Sequence, residues 1–215
     1  MSPRRYKTDR RQAAKDETRR QIVDAAVELH AEHGPRATTY AMIAKRADVA
    51  VPTVYNHFPD PAALFAACTG DVAARAPLPG PDLFNGRDSA EARIAVLVPA
   101  VFAAHRFMAP WLRRGVHEAV LIPELGKVLE GPAQKMIEFI ALALAPRFGA
   151  KPPPALLALC GILLDFTTWQ RLSEDGVLKD SAAVEPVTAA LLAIFDNYDT
   201  PHPQHVTAKM PRSLR

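Results

Sequence analysis

The chain has 215 residues, 49 % of them hydrophobic, with a formal net charge of only +3. That is enough chain for one large or two small domains with a real core, and it argues against a disordered or wholly basic polypeptide. The charge is unevenly spread: the first twenty residues carry eight basic and three acidic side chains, a net +5, which leaves −2 for the rest. A basic arm on a near-neutral body points to an anionic partner met at the N-terminus, against the plainer alternative of a solvated tail.

Strand signals are scarce, and 20 prolines punctuate the helix signals. A first helix is predicted from Asp16 or Glu17, with Ile22, Ala26 and Leu29 on one buried stripe and Arg19, Arg20, Asp24, Glu28 and Glu32 facing water. Gly34 and Pro35 end it. Thr39 can cap a short helix, Tyr40 to Ala47, with Ile43, Ala44 and Ala47 inward. Asp48-Val49-Ala50 is a turn. Pro52 suits the first turn of a third helix, which runs to about Phe58 and buries Val54 and Phe58. Asp60 and Pro61 start a fourth helix that reaches about Ala76.

A proline- and glycine-rich loop, Pro77 to Arg87, precedes a fifth helix opened by the Asp88/Glu91 pair and running through Met108, with a kink at Pro99. Pro110, Pro123, Gly131-Pro132 and Pro146 are expected to cut the following stretch into shorter helices. Lys151-Pro-Pro-Pro154 reads as a stiff linker. Ala155 to Asp175 is predicted as one long helix ended by Gly176, and a last helix spans about Ala182 to Asn197. The tail from Asp199, with Pro201, Pro203 and Pro211, has little to bury and is predicted disordered. Cys68 and Cys160 sit in apolar helical surroundings and read as packing thiols of a cytoplasmic protein. The run Ala155 to Leu164 is too short to span a bilayer, so no membrane partner is expected.

Two short helices joined by a three-residue turn behind a longer helix form a helix-turn-helix pattern. With Val54 and Phe58 inside, Val51, Pro52, Thr53, Tyr55 and Asn56 face outward. An α-helix fits the major groove and reads it with its N-terminal residues. Thr53 and Asn56 can hydrogen-bond bases, and Val51 and Pro52 can touch thymine methyls. Tyr55, His57 and the hydroxyl of Thr38 or Thr39 suit phosphate.

The string Ala37-Thr38-Thr39-Tyr-Ala-Met-Ile43-Ala44-Lys-Arg-Ala47-Asp48-Val49-Ala50-Val-Pro52-Thr53-Val-Tyr55-Asn-His57-Phe58 closely resembles the DNA-binding segment of the tetracycline-repressor (TetR) family. The similarity covers roughly residues 18 to 68. Phe166 to Leu172 and the stretch through Phe195 look like that family's last two helices. The resemblance implies an all-α homodimer paired through those helices, palindromic double-stranded operator DNA as partner, and a small-molecule effector of unknown identity. Three positions depart from the pattern: Asp48 stands where the turn glycine is usual, Ala50 replaces the capping serine, and Pro61 falls where a phosphate-binding lysine is usual.

The expected organisation is a basic arm (1–15), a three-helix helix-turn-helix domain (16–60), a larger helical regulatory and dimerisation domain (61–198) and the tail (199–215). Phe102, Met108, Trp111, Phe139, Phe166 and Trp169 are candidate walls of an apolar effector pocket, in which His105, His117 or Gln170 could orient a polar group. At helical spacing the same residues also fit an ordinary core. A helical enzyme is the rival class, but His105, Arg106, His117, Glu118 and Cys160 are spread over separate helices with no nucleophile-and-base spacing. His202 and His205 cannot close a metal site by themselves. Neither catalysis, a cofactor nor a metal is expected. The function expected is that of a transcriptional regulator, a repressor released from its operator by an apolar or aromatic ligand. The alternative is a helical dimerisation protein without specific DNA binding.

Overall fold

The computed structural model of the chain describes residues 3–174, 176, 178 and 180–199. Its helices are α1 (Pro3–His33), α2 (Tyr40–Arg46), α3 (Val51–His57), α4 (Pro61–Arg75), α5 (Ala90–Glu118), α6 (Pro123–Phe148), α7 (Pro154–Leu163), α8 (Phe166–Ser173) and α9 (Val184–Asp199), with short 3₁₀ turns at Pro81–Phe84 and Asp180–Ala183. No strand occurs among the described residues. The tail from residue 200, predicted disordered, lies outside them.

α1 to α4 form a head with its own hydrophobic cluster. Ile22, Ala26, Val54 and Phe58 are completely buried in it, and the cluster continues along α4 through Leu64, Cys68 and Val72. Burial of each large apolar side chain contributes about 1.5–3 kcal/mol, which is what holds helices as short as α2 and α3. The caps follow the sequence. The Thr39 side chain accepts a hydrogen bond from the Met42 amide (3.2 Å), and Asp60 accepts one from Ala63 (2.8 Å). Gly34 has φ +84°, a left-handed conformation that favours glycine, and a Cβ there would lie 2.7 Å from the flexible end of Glu118.

α1 does not begin at Asp16 or Glu17 as predicted but thirteen residues earlier or more, at Pro3. Proline suits a first turn, and the Arg-, Lys-, Gln- and Ala-rich segment behind it contains no breaker, so helix simply propagates outward from the packed part. Residues 9 to 17 are exposed throughout.

α5 to α9 form the body. Its prolines cut less than expected: α5 continues through Pro99 and Pro110, and α6 through Pro132 and Pro146. All four prolines lie on exposed faces, where the carbonyl freed four residues earlier is open to solvent or to another donor. For Pro146 that carbonyl belongs to Leu142, and Arg93 Nη1 donates to it at 2.7 Å. The helix predicted over Ala155 to Asp175 is instead two, α7 and α8, bent by 40°. The break is made by side chains. Asp165 caps α8 by accepting from the Thr167 amide at 2.6 Å, and His105 Nε2 meets the Leu164 carbonyl at 2.8 Å. α5 is long and apolar enough to cross a bilayer, but its apolar face is spent on the core: Ile94, Leu97, Val98, Val101 and Phe102 are fully buried.

The last third of α5 is fastened to the head. Trp111 Nε1 donates to the Val27 carbonyl (2.9 Å), Arg114 Nη1 to the Glu32 carbonyl (2.8 Å), and the Arg36 amide to Glu118 Oε2 (2.7 Å). Two of these groups flank the C-terminal end of α1, whose last carbonyls and following amides lack helical partners. Met108 and Trp111 also pack against the head's hydrophobic cluster.

Candidate nucleic-acid interface

α3 is set on the head by its inner residues. Val54 and Phe58 anchor it, and its two final carbonyls are held from outside. Arg19 Nη1 donates to the His57 carbonyl (3.0 Å) and the Tyr40 hydroxyl to that of Phe58 (3.0 Å). The Arg19 guanidinium also lies 4.1 Å from the centre of the Phe58 ring. The turn into α3 takes up φ +53° at Asp48, the one non-glycine residue with positive φ among those described. A short polar side chain tolerates this conformation at some cost. Ala50 supplies no side-chain cap, and Pro52 in the first turn is the remaining helix-start signal.

The outer face of α3 carries the predicted residues. Val51, Pro52, Tyr55 and Asn56 are exposed, while Thr53 and His57 are half-buried. Tyr55, 54 % exposed, rests on the Tyr40 ring with centroids 4.7 Å apart, so its hydroxyl is presented on a braced ring. The two threonines differ in chemistry. Thr38 Oγ1 already donates to the Gly34 carbonyl (2.8 Å), which spends its proton. Thr39 accepts from the Met42 amide and keeps its O–H to donate outward, as a phosphate oxygen requires. Burial pushes the His57 imidazole below its usual range, and the charges of Lys15 and Arg19 push it the same way, which favours the neutral ring. Arg19 and Tyr40 were missed as positioning residues. Their partners lie 38 and 18 residues away, and no local spacing announces either contact.

The candidate effector residues do not all come together. Phe102, His105, Phe166 and Trp169 form one buried ring cluster, with the His105 centroid 6.4, 5.7 and 6.2 Å from the other three. Burial lowers the His105 pKa, opposed by its bond to the Leu164 carbonyl. Phe139 instead stacks on Phe84 (4.8 Å), Met108 and Trp111 belong to the head junction, His117 is exposed and Gln170 half-buried. Two open hollows lie at the junction. One, of about 410 Å³, is lined by Thr38, Thr39, Tyr40, Tyr55, Phe65 and Ile122 among others. The second, of about 420 Å³, lies between Asp24, Glu28, Arg75 and Trp111.

Residues 22–68 match the family described as bacterial regulatory proteins, tetR family. A transcriptional regulator from Aquifex aeolicus has a similar structure, at 16 % identity and a TM-score of 0.61, covering 83 % of this chain and 99 % of that one. A tetR-family regulator from Streptomyces coelicolor aligns at 21 % identity and a TM-score of 0.58 over 86 % of this chain and 84 % of that one. The multidrug binding protein EbrR, in complex with imidazole, aligns at 21 % identity and a TM-score of 0.55 over 80 % and 89 % of the two chains. A comparison with curated proteins finds no match. Residues 22–68 thus belong to the tetR family of bacterial regulatory proteins, and the chain as a whole carries the fold of that family's regulators.

Proposed function

We propose that the protein is a dimeric transcriptional regulator that reads palindromic operator DNA with α3 and acts as a repressor released by a small apolar or aromatic ligand. The observation that carries this reading is the division of α3: Val54 and Phe58 are wholly buried, while Val51, Pro52, Tyr55 and Asn56 stand outward on a braced scaffold. Thr53 and Asn56 serve base edges, and Tyr55, His57 and Thr39 serve phosphates. Thr38 acts there only if its hydroxyl lets go of Gly34. The reading has no catalytic step, and it places the protein in the cytoplasm with its DNA.

One short recognition helix reads few base pairs, and a two-fold pair doubles the site. Leu156 on α7 and Val187 and Leu191 on α9 are spent on the protomer's own core. Apolar surface for association comes from Leu159 and Ile162 on α7, 41 % and 62 % exposed, with half-buried Leu192 and Ile194 on α9. Effector binding is supported by the ring cluster around His105, whose buried Nδ1 has no hydrogen-bond partner among the described residues. A ligand N–H or O–H would satisfy it.

Replacement of Tyr55 by Ala is expected to remove most operator binding while circular dichroism still reports a helical protein, since the side chain is exposed and its loss leaves the core intact. Undiminished operator affinity in the folded variant would end the assignment of α3. Ligand control is checked by linkage. A compound that stabilises the protein in a thermal-shift screen should quench Trp169 fluorescence. It should also bind more weakly, by one and the same factor, when operator is present. Equal affinity for free and DNA-bound protein would reduce the body to a dimerisation unit.

A further inference from the structure

The N-terminal extension is helical and continuous with α1, which gives its charges fixed directions. An α-helix turns about 100° per residue, so relative to Arg19 the side chains of Lys15 and Arg11 lie about 40° and 80° round the axis, on one face and one and two turns further out. By the same count Glu17 and Asp24 lie about 160° and 140° from Arg19, Asp16 and Asp9 about 60° and 80° from it in the direction away from Lys15 and Arg11, and Arg10 about 180° away. Three of these four carboxylates are internally occupied: Arg20 pairs with Glu17 and Asp24, and Asp16 accepts from Gln12. No carboxylate among the described residues pairs with Arg11 or Lys15, and both are exposed.

The basic face is tied to the reading helix. Arg19 bonds the His57 carbonyl at the end of α3, and the Lys15 charge is felt at the His57 ring. Arg19, Lys15 and Arg11 therefore start at the end of α3 and extend about 12 Å outward along one rigid line. A flexible arm could follow a groove in many ways, whereas this line can follow only something uniformly anionic that runs past the reading helix.

Resting on the assignment of α3 to DNA, we infer that the outer two turns of α1 are a rigid rail whose Arg11–Lys15–Arg19 face binds the phosphate backbone flanking the base pairs read by α3. The rail adds affinity without sequence preference, and its contribution depends on the helix as well as on the charges.

The test is the salt dependence of binding of the full chain to a duplex selected from a random pool by the protein itself, and to an unrelated duplex. Arg11→Gln with Lys15→Gln should lower the log–log slope by about 1.8 per protomer, or about 3.6 for the bound dimer, at roughly 0.9 per lost phosphate contact, on both duplexes. Arg10→Gln, on the opposite face, should leave the slope unchanged. Ala13→Pro keeps every charge but breaks the rail, and should lower the slope as the double neutralisation does. A wild-type slope for Ala13→Pro would show a flexible arm and overturn the rail. So would an unchanged slope for the double variant, whose exposed substitutions leave the fold intact, while operator selection by α3 would stand. Failure of the wild-type protein to bind any duplex at low salt would overturn the regulator and the rail together.

Discussion

Phe58→Ala is expected to be the most damaging single substitution in the head, unfolding it well before the body's core is touched. The Phe58 side chain is fully buried in the cluster that includes Ile22, Ile43, Val54 and Leu64, with the Arg19 guanidinium 4.1 Å from its ring centre. Truncating a buried phenylalanine costs about 3–5 kcal/mol, because the cavity left behind is only partly refilled. The loss of the Arg19 contact adds about 0.5–1 kcal/mol. In a chain of this size each kcal/mol lowers Tm by about 2–4 °C, so a fall of about 10 °C or more is expected in a calorimetric scan. DNA binding should fail in parallel, since Arg19 and Tyr40 hold α3 through carbonyls whose positions depend on that ring. A Tm within about 2 °C of wild type would show that the head's packing is looser than the buried surface implies.

Mild acid is expected to destabilise the protein through His30, in a window where carboxylates do not yet titrate. His30 is 6 % exposed, beside Phe65, and burial pushes its pKa down to about 4. In the unfolded chain an ordinary histidine titrates near 6.5. Below that pH the unfolded state binds a proton that the folded state refuses. The stabilisation is therefore complete above about pH 6.5 and is lost as the pH falls towards 4, at about 1.4 kcal/mol per pH unit. Burial lowers His105 in the same direction, so its contribution has the same sign. The carboxylates held low by arginines, Glu17 beside Arg20 and Glu32 beside Arg46, act only nearer pH 4. Urea denaturation between pH 7 and 5 should thus show stability falling by about 2 kcal/mol from His30. His30→Gln should remove close to one proton from the slope. An identical pH profile in that variant would mean that His30 takes up its proton equally in the folded and unfolded states, and that burial does not hold it neutral.

Much of this architecture was legible because its signals are local. Thr39, Asp60 and Gly34 mark helix ends through their own backbone neighbours, and the alternation of Val54 and Phe58 with Tyr55 and Asn56 settles which side of α3 is outside. What was not legible depends on partners far along the chain. Nothing near Pro146 tells that Arg93 will take the carbonyl it frees, so a proline read as a stop became part of a continuous helix. Asp165 signals a helix start, but inside an apolar run its cap was outweighed by periodicity, and His105, 59 residues away, completes the break. The same limit applies to the interface. Tyr55 and Asn56 could be named from α3 alone, whereas Arg19 and Tyr40 become meaningful only once α1, α2 and the end of α3 are brought together. The likeness of Thr53-x-Tyr55-x-His57-Phe58 to a known family carried the outward residues. It did not carry the braces behind them.

The fastening of α5 to the end of α1 bears on how this architecture can be taken apart and recombined. A fragment ending at residue 60 would keep α3 but forfeit Leu64, Cys68 and Val72, and with them one wall of its core. Even a fragment ending after α4 would lack Trp111, Arg114 and Glu118, leaving the carbonyls of Val27 and Glu32 and the Arg36 amide without the partners they have in the whole chain. The head is therefore not a cassette. A chimera that grafts it onto another body must bring along the last third of α5, or an equivalent tryptophan, arginine and glutamate at those spacings. Exchange of such heads is constrained by these three side chains as much as by the outward face of α3.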